Sequence, residues 1–456
     1  MSNPLEIIFT VLSVFYKIGG FLLSFWWLYL VIFLLLLAKG FWLKYKRQQF
    51  IQKIEWVLLE IKPPREIKKT PQAMEQFFAG LHGTQTKSNW KERNIKGFTQ
   101  RWFSLEIISQ GGDIHFFIRT ASIFRDIIEA NIYSQYPEAE ITETNDYVQS
   151  MPSDILSSKD YDIWGTELIL AKEDAYPIRT YKEFEKGILF EEQRIDPIAT
   201  LLEVMAKLKQ GEQVWIQTLV RPVKDYWKKE AEQLKDKLAG RKPEKKHSFI
   251  VKEIIAWKDA TKENLNRLLT GEAVEEGKEE EDKPASLAVL TKAEQEVIYA
   301  IEQNISKIGY ETIIRFIYLG HTDIFSLANV AAVVGSYKQF STQNLNGLKP
   351  NKKITTKLDY KIELKKVREP YRKNRLLFAY KNRNFVQYSK AIPYLKPFFF
   401  ENLPVLNRFF MRSKPFVFNI EELATIFHFP IITVKAPLVP KVEAKKAEPP
   451  SGLPVE

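Results

Sequence analysis

Side chains able to do covalent or metal chemistry are few and poorly spaced in this sequence. There is no cysteine, which removes thiol nucleophiles, thiolate metal sites and disulfides together and suits a reducing compartment. The five histidines, His82, His115, His247, His321 and His428, show no HxxxH or HxH spacing, so zinc ligation is not indicated. Triphosphate chemistry needs a G-x-x-x-x-G-K-[ST] turn whose backbone N–H groups wrap the phosphates. The nearest string, Gly271 to Glu279, is one residue too long, places Glu279 where a hydroxyl belongs, and is crowded with carboxylates that repel a triphosphate. No G-x-G-x-x-G follows a strand-like run and no G-x-S-x-G occurs. Adjacent carboxylates such as Glu191-Glu192 and Glu421-Glu422 fit helix starts or solvated positions better than an acid and base pair. The expectation is a non-enzyme with no catalytic, cofactor-binding or metal-binding residues.

The one concentrated chemistry is positive charge. The formal net charge of +11 traces to Lys349 through Lys396, where Lys352, Lys353, Lys357, Lys365, Lys366, Arg368, Arg372, Lys373, Arg375, Lys381 and Arg383 face only Asp359, Glu363 and Glu369. Tyr371, Tyr380, Phe385 and Tyr388 interleave the cations, and basic plus aromatic side chains are what a groove for single-stranded nucleic acid uses. Lys352, Lys353, Lys365, Lys366, Arg368, Arg372, Lys373 and Arg375 are therefore candidate contacts for nucleic acid or anionic lipid. A plain solvated face and an acidic protein partner are competing readings of the same charge.

A second feature sets where this chemistry happens. Residues 18–38 carry no charged side chain, and at about 1.5 Å per residue they make a helix of roughly 30 Å, the thickness of a hydrocarbon core. The spacing predicts a transmembrane helix with Trp26, Trp27 and Tyr29 within it, Trp42 near its exit so that aromatic rings are available at headgroup level, and Lys44, Lys46 and Arg47 as its basic flank. Cations crowd the exit whereas Lys17 stands alone at the entry, which predicts a single pass of the inner membrane with the bulk of the chain in the cytoplasm. A cleaved signal peptide would want small residues at the cut, which Ala38-Lys39-Gly40-Phe41-Trp42 does not supply. The short apolar stretch Pro4 to Tyr16 holds Glu6 and reads as an interfacial helix or re-entrant arm, with a second crossing as the alternative.

The elements that must position these residues follow from periodicity. Beyond the anchor (1–50), Glu55–Lys62 reads as a strand and Pro71–His82 as a helix. Phe103–Ser109 and Ile114–Arg119 form a hairpin across Gln110-Gly111-Gly112-Asp113, followed by a helix over Ala121–Tyr136 and a strand over Ala139–Tyr147. Strand, helix, strand, strand, helix, strand is the split βαβ, or ferredoxin-like, order, expected over 51–150. A second α/β sandwich domain is expected over 151–345. It holds strands at Trp164–Ala171, Gln213–Arg221 and Glu311–Leu319 and helices from Pro197 and over Asp323–Gln339. The capping box Thr291-Lys292-Ala293-Glu294 opens another helix. A charged insertion covers about 224–290, with helices over Asp225–Leu238 and Val251–Leu269 and the acidic run Glu272–Asp282 read as a disordered linker. The basic region (346–430) is expected to hold short strands at Asn374–Phe378, Phe385–Tyr388 and Phe416–Phe418 and a helix over Ile420–Phe427 capped by Asn419. A Pro-rich extended tail (431–456) ends it. The fold class is α+β.

Several stretches together carry a resemblance: PPREIKKTPQAMEQFFAGLHG at 63–83, SQGGDIHFFIRT at 109–120, YDIWGTELILAKEDAYPIRTY at 161–181, QFSTQNLNGLKP at 339–350, FNIEELATIFHFP at 418–430 and KAEPPSGLP at 446–454. They resemble the membrane-anchored N-terminal region that precedes the P-loop motor in bacterial type IV secretion and conjugation-like ATPases. The resemblance covers most of the chain and its motifs are structural, so no ATP-binding residue carries over. It implies anchor and adaptor domains without the motor: a scaffold, expected to be oligomeric, that docks a separate P-loop ATPase at the membrane for DNA or protein translocation. A membrane-tethered nucleic-acid-binding protein using 349–396 is the alternative.

Overall fold

Strand-forming runs in this chain are buried on both sides. Phe103–Gln110 buries every residue but the last, and such runs belong in a sheet covered on both faces. A computed structural model describes residues 24, 26–64, 67, 69–150, 155, 160–185, 195–241, 290–357, 362–385 and 414–431. In chain order its elements are α1 (Trp26–Gln52), β1 (Trp56–Lys62), α2 (Gln72–His82), α3 (Trp90–Asn94), β2 (Phe103–Gln110), β3 (Asp113–Ala121), α4 (Arg125–Gln135), β4 (Glu140–Glu143), β5 (Tyr161–Leu170) and α5 (Tyr181–Phe184). There follow α6 (Ala199–Ala206), β6 (Glu212–Pro222), α7 (Tyr226–Leu238), α8 (Lys292–Ile305), β7 (Gly309–His321), α9 (Leu327–Lys338), β8 (Leu348–Pro350), α10 (Ile362–Lys381), β9 (Phe416–Asn419) and α11 (Ile420–Ile426). The class is α+β, built on one antiparallel sheet.

The sheet runs β4-β1-β3-β2-β6-β7-β5-β8, with β9 added beside the first residues of β7. Its first four strands follow the expected strand-helix-strand-strand-helix-strand order, with the hairpin at Gly111-Gly112 in place. The next four repeat the plan in mirror image: β6, β7, β5, β8 is second, third, first, fourth in their own order. The two groups fuse where β2 pairs antiparallel with β6 from Phe103↔Val220 to Gln110↔Gln213. No break in hydrogen bonding separates residues before and after 150.

Helices α2, α4, α6, α9 and α11 cover one face, burying Phe77, Phe78, Leu105, Ile118, Ile132, Leu202, Ile216 and Phe316 in a single core. On the other face Leu376, Leu377 and Tyr380 of α10 pack against Phe117, Trp215 and Ile317. The expected strand at Asn374–Phe378 is thus a correction: these residues lie inside α10, which continues through Pro370. Arg372, Leu376 and Tyr380 are buried at four-residue spacing, a helical period that the apolar cluster Leu376-Leu377-Phe378 masks when read locally.

Among the described residues no helix is long and apolar enough to cross a membrane. Residues 18–23 and Phe25 of the expected span lie outside the described ones, as do Pro4–Tyr16, the 251–269 helix, the acidic run 272–282, the strand residues 386–388 and the tail from 432.

Candidate functional site

Around residue 43 the chain changes partner. Helix α1 leaves Trp27, Leu34, Leu35, Phe41 and Trp42 exposed, each by half or more of its surface, whereas Leu43 is 1% exposed. From there the helix is gripped. Phe50 meets Phe98 at 5.4 Å, and Gly97, at φ +71, sits so close to α1 that an added Cβ would lie 2.5 Å from the Lys46 carbonyl carbon and 2.7 Å from the Arg47 nitrogen. Only glycine satisfies both that φ and that approach. After Gln52 the amides of Lys53 and Ile54 bond back to the carbonyls of Phe50 and Ile51 at 3.3 and 3.1 Å. Trp56 then opens β1 and meets Trp102 at 5.1 Å, while Arg119, its pKa lowered to about 10 by burial and by nearby Arg383, covers the Trp56 ring at 4.4 Å. The helix therefore joins the sheet through Lys53, Ile54 and Glu55 alone.

Of the residues expected to anchor the chain, Trp27, Trp42 and Lys44 are exposed and Lys46 lies over the Trp42 ring at 4.8 Å. Arg47 is half-buried and its pKa is lowered by that burial and by Arg221. Trp26 and Tyr29 lie on α1 with side chains outside the described ones.

The expected basic surface is only partly a surface. Arg372 is buried and donates to the Thr355 carbonyl at 2.8 Å. Lys373 pairs with Asp162 at 2.8 Å and Glu369 at 2.9 Å; burial works against its charge, and the two carboxylates outweigh it and raise its pKa. Arg375 is half-buried and its Nη1 has no hydrogen-bond partner. Lys352 and Lys353 are exposed, and the side chains of Lys365, Lys366 and Arg368 lie outside the described ones. Where α10 meets the sheet its cations point inward.

A row of polar residues also crosses that face. Glu106 of β2, Gln217 of β6, Arg315 of β7 and Glu167 of β5 are successive cross-strand partners. All four are at most 4% exposed. Arg315 donates to Glu167 Oε1 and Gln217 Oε1, both at 2.9 Å. Arg383, just past α10, donates to both oxygens of Glu106 at 3.0 and 3.1 Å and also pairs with Asp146. Burial alone would push Glu106 up, but Arg383 with the Ser104 and Tyr147 hydroxyls holds it below the usual carboxylate range. Tyr147 and Tyr380, 2.7 Å apart, are pushed well above theirs by burial and by Glu106. Arg383 has φ +45. Its amide bonds to Tyr380 O and that of Asn384 to Ala379 O, both at 2.9 Å, the helix-ending turn in which glycine is usual. An arginine there trades backbone ease for a guanidinium aimed at Glu106. The row acts as a clamp, its charges occupied with one another, and sequence spacing gave no sign of it because its members are far apart in the chain.

A second clamp holds the C-terminal segment, in which residues 415–431 are all buried. Asp196 accepts from the amides of Ile198 and Ile431, both at 2.8 Å, and faces His428 Nε2 at 3.0 Å. His428 Nδ1 faces the Ala424 carbonyl at 2.8 Å, so both ring nitrogens meet acceptors. Against its burial, His428 and the two amides hold Asp196 below its usual range. Glu421 pairs with Lys182 and Lys307. A buried pair formed by residues as far apart as Asp196 and His428 has no local signal in the sequence.

A family model described as a domain of unknown function, DUF8128, matches residues 43–388. No curated protein matches the chain. The matched stretch starts at Leu43, the first buried residue of α1 among the described ones, and stops before β9 and α11, which share the core of the sheet.

Proposed function

The chain belongs to the DUF8128 family, a domain of unknown function, and we propose that it is a membrane-anchored adaptor of a type IV secretion or conjugation-like translocation machine. In this reading α1, continued back towards Ile18, is a single-pass anchor in the inner membrane. The sheet stands on the cytoplasmic side as two ferredoxin-like units in tandem, presenting a docking surface for a P-loop ATPase. The chain itself catalyses nothing; it holds the motor at the channel in an oligomeric assembly.

The observation that supports this is the three-residue junction between α1 and β1. A docking platform has to fix height and angle, and a flexible tether of only ten residues would let the sheet wander by about 17 Å. The gripped foot of α1 removes that slack. The alternative, direct nucleic-acid binding through 349–396, draws support from exposed Lys349, Lys352 and Lys353 but loses Arg372 and Lys373, which are engaged with the protein. The adaptor reading is tested by extracting the full chain from its own membranes in mild detergent. A P-loop ATPase identified in near-stoichiometric amount in the purified complex is the expected result. Release of the chain from membranes by alkaline carbonate, or a complex containing no such ATPase, overturns it.

A further inference from the structure

At the foot of α1 a cleft of about 370 Å³ opens to solvent between the helix and the turn leading to Gly97. Trp42, Phe50 and Ile95 line it with apolar surface, and Lys46, Lys53 and Lys96 ring it. Among the described residues no carboxylate pairs with any of these three ammonium groups; Lys46 reaches Gln49 Oε1 at 3.4 Å. Trp42 and Ile95 are each 52% exposed, which is costly for large apolar side chains facing water. Beside them Trp90 is 61% exposed and Lys91 and Arg93 are exposed as well.

Three cations around an apolar floor suit a ligand with an anionic head and a hydrocarbon body. We propose that this cleft binds an anionic phospholipid, with the phosphate among Lys46, Lys53 and Lys96 and the first methylenes against Trp42 and Ile95. The inference rests on the membrane reading of α1. Trp42 lies four residues past Ala38, about 6 Å along the axis, inside a headgroup layer roughly 5–8 Å deep, and Lys46, one turn further out, carries its ammonium back over the Trp42 ring at 4.8 Å. The site also explains why Gly97 presses its turn so closely on the helix, since this contact brings Ile95 and Lys96 to the same level as Trp42.

The test uses the full chain in detergent, stripped of native lipid and offered phosphatidylglycerol or phosphatidylcholine, with bound lipid counted by native mass spectrometry. One phosphatidylglycerol per chain, held in preference to phosphatidylcholine, is expected. At about fivefold per lysine near an anionic surface, the triple variant Lys46→Gln, Lys53→Gln, Lys96→Gln should weaken phosphatidylglycerol binding on the order of 100-fold, with the melting temperature unchanged. Ile95→Ser should weaken lipid binding and leave competition by inorganic phosphate unaltered. Equal retention of the two lipids, retention indifferent to the triple variant, or full displacement by millimolar inorganic phosphate overturns the proposal. A chain that stays in aqueous buffer without detergent overturns the membrane reading as well, and that result is distinct from loss of lipid preference.

Discussion

Arg383 shows how a single residue fixes the arrangement of much larger pieces. It is fully buried with Glu106, and a buried pair broken on one side leaves an uncompensated charge costing about 3–5 kcal/mol. Arg383→Met should therefore destabilise the fold by about that amount in urea unfolding, and adding Glu106→Gln should recover part of the loss, since the two sites are coupled. Glu422 supplies a pH dependence. Its oxygens accept from the amides of Asn419 and Ile178 at 2.9 and 3.0 Å, and burial pushes its pKa up to about 8 from an unfolded value near 4.3. The native state therefore binds the extra proton across that window. The associated stability is complete below the unfolded value and is lost as pH rises through 8. Melting temperature should fall between pH 5 and 8 more steeply in the wild type than in Glu422→Gln. Asp196 acts in the opposite sense, because its depressed value contributes stability that is lost on acidification below the ordinary aspartate range.

At the scale of elements, the joint between α1 and the sheet depends on one glycine. Gly97→Ala would force a Cβ into the backbone of Lys46 and Arg47 at a φ that L residues avoid, so a loss of about 1–3 kcal/mol is expected, read as a lower melting temperature. Local elements were legible in the sequence because their signals are local. The Thr291–Glu294 capping box opens α8 as its spacing implies, and Asn419 caps α11 with Glu422 closing the box. The Gly111-Gly112 hairpin and the helix from Tyr226 followed from turn chemistry and composition. What stayed hidden depends on distant partners. Arg372 and Lys373 look solvated in sequence, yet Thr355 and Asp162 draw them inward. The aromatic-basic foot of α1 was half legible: Trp42 and Lys46 stood out, but Ile95 and Lys96, which complete the cleft, sit in a polar loop that only Gly97 brings to the helix.

For the whole molecule, the β2–β6 seam is the decisive join. Each four-strand group is recognisable in sequence as an alternation of strands and helices, but the pairing of β2 with β6 links residues more than a hundred positions apart, and nothing in either strand announces the other. Its consequence is cooperativity. Residues 51–150 alone would leave β2 with an unpaired edge and Glu106 without Arg383, so that fragment should not fold stably, and its amide spectrum should lack the dispersion seen for the full chain. A well-dispersed fragment spectrum would show that the seam is dispensable.

The junction at Lys53, Ile54 and Glu55 turns geometry into leverage. Because helix and strand meet without slack, any lean of the rod reappears as a swing of everything mounted on it. β8 stands six strand spacings from β1, about 29 Å, so a lean of about 10° sweeps that far edge through roughly 5 Å, comparable to one turn of helix. In the membrane setting proposed above, whatever sits on β8 would feel the local thickness and curvature of the lipid as displacement.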